Sequence, residues 1–156
     1  MTDKVRDYWR NFVGGEWVDA ADGGRIAVLD PASGETICEV ARGSAADIDR
    51  AVAAARQAFE SRVLLAMTPA ARGELMFEIA RQLDGLADEI ALVEMRDNGK
   101  TLQNGYKEVA LTQRYLRYYG GLADKLEGRQ IPLGEGLLDY TVHMPYGVSA
   151  QIVPWN

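Results

Sequence analysis

The sequence predicts an α/β fold whose sheet has barely begun. Two pairs of short β-branched runs occupy the first forty residues, each pair joined by turn residues. Three or four helices with apolar stripes follow, and a last run from Val148 to Val153 again reads as a strand. Striped helices need a sheet to cover, and few strands are present to be covered. The expectation is that more sheet lies beyond these 156 residues.

Composition narrows the class. The chain is 47% hydrophobic and 26% charged, the balance of a globular domain. A formal charge of −6 argues against nucleic acid or an acidic membrane surface, since both reward basic patches. No apolar run reaches the roughly 20 residues that span a bilayer. The opening residues carry no hydrophobic signal core. A single cysteine forms no internal disulfide, which suits a reducing cytoplasm. A cytoplasmic protein is expected.

Residues 1–10 are polar apart from Tyr8 and Trp9, and are expected to form a tail or one short helix. Asn11-Phe12-Val13 and Glu16-Trp17-Val18 flank Gly14-Gly15, the two-residue spacing of a hairpin whose turn needs positive φ. Arg25 to Leu29 and Thr36 to Ala41 form a second pair. The linker Asp30-Pro31-Ala32-Ser33-Gly34 places Pro and Gly where a type I or II turn wants them.

Helix signals then take over. Ser44 with Asp47 three residues on is a capping box, with Asp in place of Glu. Behind it Ile48, Val52, Ala55 and Phe59 make the stripe of an amphipathic helix. Thr68-Pro69 pairs an N-cap with proline at the first helical position. Leu75, Ile79 and Leu83, then Leu86, Ile90 and Val93, mark one or two helices that Gly85 bends and Asn98-Gly99 stops. A long helical segment covers about Leu102 to Leu126, with Gly120-Gly121 as an irregularity. Leu138 to His143 alternates as a strand, and Pro145 and Gly147 turn the chain into the final run.

Several of these segments resemble the aldehyde dehydrogenase superfamily. They are Phe12-Val13-Gly14-Gly15-Glu16-Trp17, Leu29-Asp30-Pro31-Ala32-Ser33-Gly34-Glu35, and the helix from Asp47 to Phe59 with its regularly spaced alanines. Asp97-Asn98-Gly99-Lys100, Tyr118-Tyr119-Gly120-Gly121 and Gln151-Ile152-Val153-Pro154-Trp155-Asn156 follow in the family's order. Each is weak alone; their sequence from about residue 11 to residue 156 is specific.

The resemblance implies the amino-terminal part of a Rossmann-like cofactor domain. Residues 1–136 would be its hairpins and helical layer, 137–147 an oligomerisation hairpin arm, and 148–156 the first strand of its sheet. NAD or NADP would be the cofactor, an aldehyde the substrate, and self-association as dimer or tetramer the assembly. Asn156 matches the family's oxyanion asparagine, whose amide meets the oxygen that turns negative when a thiolate attacks the aldehyde. Ile152, Val153, Pro154 and Trp155 would line the cofactor cleft, beyond the carboxyl end of a strand. A Gly-x-Gly-x-x-Gly fingerprint is absent, since Gly134-Glu135-Gly136 lacks the third glycine.

The family's cysteine nucleophile and glutamate base would lie after residue 156, so the chain alone is expected to be inactive. Cys38, in a strand pattern beside Glu39, reads as structural. His143 reads as a surface or interface residue, and Tyr115, Tyr118 and Tyr119 as core or interface. By resemblance, the carbonyls around Val28 and Leu29 and the carboxylate of Asp97 contribute to an alkali-cation site in some members, oxygen-only ligands suiting a hard cation. A short scaffold or assembly module built on the same fold is the alternative.

Overall fold

The computed structural model describes residues 6–153. They form the expected α/β arrangement of small sheets and helices. Its first element departs from expectation: Tyr8–Trp9 is a strand, β1, rather than a tail or helix. It pairs in parallel with β5 (Thr36–Ala41), aligning Tyr8 with Glu39 and Trp9 with Val40. Two adjacent aromatics suit a half-buried pleated surface better than a polar tail. The Arg25 guanidinium also lies over the Tyr8 ring, 4.0 Å from its centroid.

The two hairpins form as read. β2 (Asn11–Val13) and β3 (Glu16–Val18) close through Gly14 and Gly15, with φ of 62° and 90°. Such a turn requires positive φ at both central residues, so glycine is the residue that fits. β4 (Arg25–Leu29) runs antiparallel to β5, and the three-stranded sheet has the order β1-β5-β4. The β4–β5 linker is a five-residue turn rather than a simple type I or II. Gly34 N–H donates to the Asp30 carbonyl at 2.7 Å, and the Asp30 carboxylate accepts from Ala32 N–H.

α1 spans Ala45–Glu60, opened by the Ser44–Asp47 capping box. α2 (Pro69–Gln82) starts where Thr68 Oγ1 accepts from Ala71 N–H at 3.2 Å. A 3-10 turn over Leu83–Leu86 joins it to α3 (Ala87–Asn98), placing the bend at Gly85. Gly99, left-handed at φ 74°, stops α3 as expected.

α4 runs unbroken from Leu102 to Leu122, through the glycines read as an irregularity. Gly120 is there for contact. A Cβ on it would sit 2.9 Å from the Phe77 ring, and one on Gly73 would sit 2.6 Å from the Gly120 carbonyl oxygen. α2 and α4 therefore meet backbone to backbone. Gln113, buried on α4, ties the pair by donating to the Ala80 carbonyl at 3.1 Å and to Asp84 at 2.5 Å.

The core differs from the one the stripes foretold. Ala20, Cys38, Ala41, Ala80, Ala91 and Val109 are the buried apolar residues, all small or medium. Ile48, Val52, Leu75 and Ile79 face solvent. The helices pack through small residues, and the described residues contain no sheet for these stripes to cover.

Of the strand read over Leu138 to His143, only Asp139–Tyr140 (β7) pairs, antiparallel to Gln130–Ile131 (β6). The final run likewise forms no strand over Val148 to Val153. A strand needs a neighbour for its backbone groups, and among the described residues none lies beside it.

Candidate functional site

The expected cleft residues follow a point where the chain passes the end of α1. Gly147, at φ 106°, lies against Arg56 and Phe59 near the end of α1. Val148 is half-buried, and the chain then turns outward. Ile152 is 100% exposed and Val153 78%. Both apolar side chains are therefore open to solvent. Pro154, Trp155 and Asn156 lie outside the described residues.

Val28 and Asp97, expected at a cation site, do line one cavity. It lies between the three-stranded sheet and α3, with a volume of about 270 Å³. Trp9 enters from β1, Val28 from β4, Ile37, Cys38 and Val40 from β5, and Val93, Arg96 and Asp97 from α3. Leu29 is not in its lining and is exposed, the ladder shifting register between Val28 and Leu29. The side chains of this lining supply one carboxylate, an arginine, a thiol, the Trp9 indole and hydrocarbon, and a hard cation, which takes several oxygens, would also need the backbone carbonyls around Val28 and Leu29. Among the described residues no three His, Cys, Asp or Glu side chains gather.

Cys38 is buried in that cavity. Burial pushes its thiol up, the Asp97 charge adds to this, and Arg96 opposes it. The thiol is therefore protonated at neutral pH, and no histidine lines the cavity to activate it. Sulfur held this way packs rather than reacts. His143, Tyr115, Tyr118 and Tyr119 are exposed, so the tyrosines are not core.

Sequence reasoning missed two structural centres. The Asp47 carboxylate, only 4% exposed, caps α1 and also reaches the backbone of Ala21 in the loop after β3. Its second role had no local signal. At the end of α3, Lys100 donates to Glu94 at 2.5 Å and Asn98 donates to the same carboxylate at 2.8 Å. Lys100 holds the Glu94 carboxyl below its usual range, and Glu94 holds the ammonium above its own.

Comparison with known proteins accords with this order of elements. The family model described as "Aldehyde dehydrogenase family" matches residues 17–156. Aldehyde dehydrogenase 1A1 of Homo sapiens is 37% identical over 158 residues, covering 100% of this chain and 32% of that protein. The mitochondrial benzaldehyde dehydrogenase of Antirrhinum majus is 41% identical over 150 residues, covering 96% and 28%. The NAD+ complex of an aldehyde dehydrogenase from Bacillus cereus superposes with a TM-score of 0.85 at 35% identity, covering 88% and 28%. The chain thus spans about a third of the length of the relatives it matches. With the family model matched from residue 17 to residue 156, this chain belongs to the aldehyde dehydrogenase family.

Proposed function

We propose that this chain is the amino-terminal part of an enzyme that oxidises an aldehyde to a carboxylic acid with NAD or NADP. The carrying observation is the family match from residue 17 to residue 156, in a chain that spans about a third of its relatives' length. The cofactor's chemistry is to take up hydride from the substrate carbon. Ile152, Val153, Pro154 and Trp155 form one wall of its cleft, and the exposure of the first two leaves an apolar face open for it.

Asn156 serves the oxyanion. Its side-chain amide donates to the substrate oxygen as a thiolate from elsewhere in the enzyme adds to the carbonyl, stabilising charge without reorganisation. This chain holds the donor and not the thiolate. Cys38 is buried in the sheet–α3 seam with a protonated thiol, so it offers no substitute. The general base lies after residue 156 as well. An alkali cation would take its oxygens from the carbonyls around Val28 and Leu29 and from the Asp97 carboxylate.

Self-association fits the arm. Leu137, Leu138, Tyr140, Val142 and Met144 are all exposed, an apolar surface that a second subunit would cover. Dimer and tetramer both satisfy it. Among the described residues no helix is long and apolar enough to cross a membrane, and a cytoplasmic setting suits the single reduced cysteine. The other reading, a non-catalytic assembly module, is supported by the same open surfaces. The deciding experiment is the intact mass of the protein from its own cells, joined to an assay of NADH formation with aldehydes. A mass near 17.2 kDa without activity would favour the module. A mass near three times that, with activity, would favour the enzyme.

A further inference from the structure

We propose that Asn98 is a site of spontaneous covalent modification, closing onto Gly99 as a succinimide and reopening as aspartate or isoaspartate. The chain contains two Asn-Gly pairs, Asn98-Gly99 and Asn104-Gly105. Asparagine before glycine is chemically prone to this reaction, because glycine has no Cβ to shield its nitrogen or restrain its backbone. The fold treats the two pairs differently.

Asn98 is the last residue of α3, and Gly99 stands outside the helix, exposed and left-handed at φ 74°. The Gly99 N–H donates to the Met95 carbonyl at 2.9 Å, a bond at a helix end, where opening costs least. The Asn98 side chain is already set for attack. Lys100 N–H donates to its Oδ1 at 3.4 Å, closing a ring that contains the Gly99 nitrogen, and Glu94 accepts from its Nδ2 at 2.8 Å. The first of these bonds meets the oxygen that turns negative as the nitrogen adds. Asn104 lies instead in the first turn of α4. Its side chain is the more exposed of the two, yet Gly105 is buried, and a Cβ there would meet the Ala91 carbonyl oxygen at 2.7 Å. Turning the Gly105 nitrogen onto Asn104 would lift α4 from α3.

The step balances with water as its sole co-reactant. The Gly99 nitrogen loses its proton to solvent and bonds to Asn98 Cγ. The Cγ–Nδ2 bond breaks, and that nitrogen takes up a proton and leaves as ammonia. Water then opens the ring at either carbonyl. One route leaves aspartate; the other runs the backbone through the former side chain and adds a methylene between α3 and Gly99. Either product sets a second carboxylate beside Glu94. The longer backbone also displaces Gly99 from the Pro31 ring that packs on it, so the joint between α3 and the β4–β5 turn loosens as the protein ages.

The full-length protein is held at neutral pH and physiological temperature, sampled over days and digested in mild acid conditions. Trypsin separates the two pairs, cutting after Arg96, Lys100 and Lys107. Mass spectrometry follows each peptide from amide to acid, and an isoaspartyl methyltransferase labels the rearranged product. The Asn98 peptide converts several-fold faster than the Asn104 peptide and carries the isoaspartate. In urea the two rates converge, because both glycine nitrogens are then free. Equal rates in the folded protein, or a lead for Asn104, overturn the proposal. So does a lead for Asn98 that persists in urea, which would come from local sequence rather than from the fold.

Discussion

Both carboxylate oxygens of Asp47 accept from the Ala21 N–H, at 3.0 and 3.1 Å, across 26 residues of chain. The same group accepts from Ser44 N–H at 2.9 Å and Ser44 Oγ at 2.7 Å, and it pairs with Arg50. One side chain thus fixes the start of α1 and the exit from the first hairpin. The hydrogen bonds from the Ser44 hydroxyl, the Ser44 amide and the Ala21 amide hold this carboxyl far below the usual range.

A group whose folded pKa is depressed stabilises above its unfolded pKa, and the contribution fades as pH falls toward the folded value. Asp47 should therefore contribute fully at neutral pH and progressively less below about pH 4, where the unfolded carboxyl protonates. Asp47→Asn should lower the melting temperature by several degrees at pH 7 and by less at pH 3. Melting curves at the two pH values check it. Equal loss at both would mean that the charge is not what matters.

Gly73→Ala and Gly120→Ala should each destabilise by about 1–3 kcal/mol, because the new methyl meets backbone or an aromatic ring at the α2–α4 crossing. Gly121→Ala is the control. Nothing lies within 4 Å of its added Cβ, so helix propensity should stabilise it by up to about 1 kcal/mol. Urea titrations of the three variants give the comparison. Equal effects at Gly120 and Gly121 would remove the close-contact account.

The 156-residue chain should show no aldehyde-dependent NADH formation, and Cys38→Ala should leave that unchanged. The thiol is buried, protonated and without a base in its cavity. An absorbance assay with excess aldehyde and NAD checks it. Turnover that disappears in Cys38→Ala would make Cys38 a nucleophile after all.

Leu138→Glu with Met144→Glu should shift the assembly toward smaller species, since both side chains stand in solvent on the arm and a charge there opposes burial in an interface. Light scattering of the enzyme carrying both changes is the measurement. An unchanged mass would place the subunit contact elsewhere.

In the enzyme that continues past residue 156, Asn156→Ala should lower kcat and kcat/KM together by roughly 10²–10³, the usual cost of one oxyanion donor. The cofactor dissociation constant should change little, because the proposed wall, Ile152 to Trp155, is left unaltered. Steady-state kinetics with a separate cofactor titration decide it. Unchanged turnover with weakened cofactor binding would make Asn156 a structural loop residue.

Local rules were legible in the sequence wherever a few neighbouring residues suffice. Gly14-Gly15 closes a hairpin because only that turn joins two strands so tightly, and Ser44–Asp47, Thr68-Pro69 and Gly99 mark helix ends for reasons contained within one turn. The ordered segments from Phe12 to Asn156 also carried the family. Tertiary structure alone decided what each element meets. β1 exists because β5 offers it a neighbour, and Gly120 stays helical because α2 approaches it. Ile48, Val52 and Ile79 have the spacing of a core stripe and still face solvent. Periodicity says which side of a helix is apolar; burial depends on a second surface, and that surface is not among the described residues. Val148 to Val153 shows the same physics in a strand, whose backbone pairs only when another strand lies alongside.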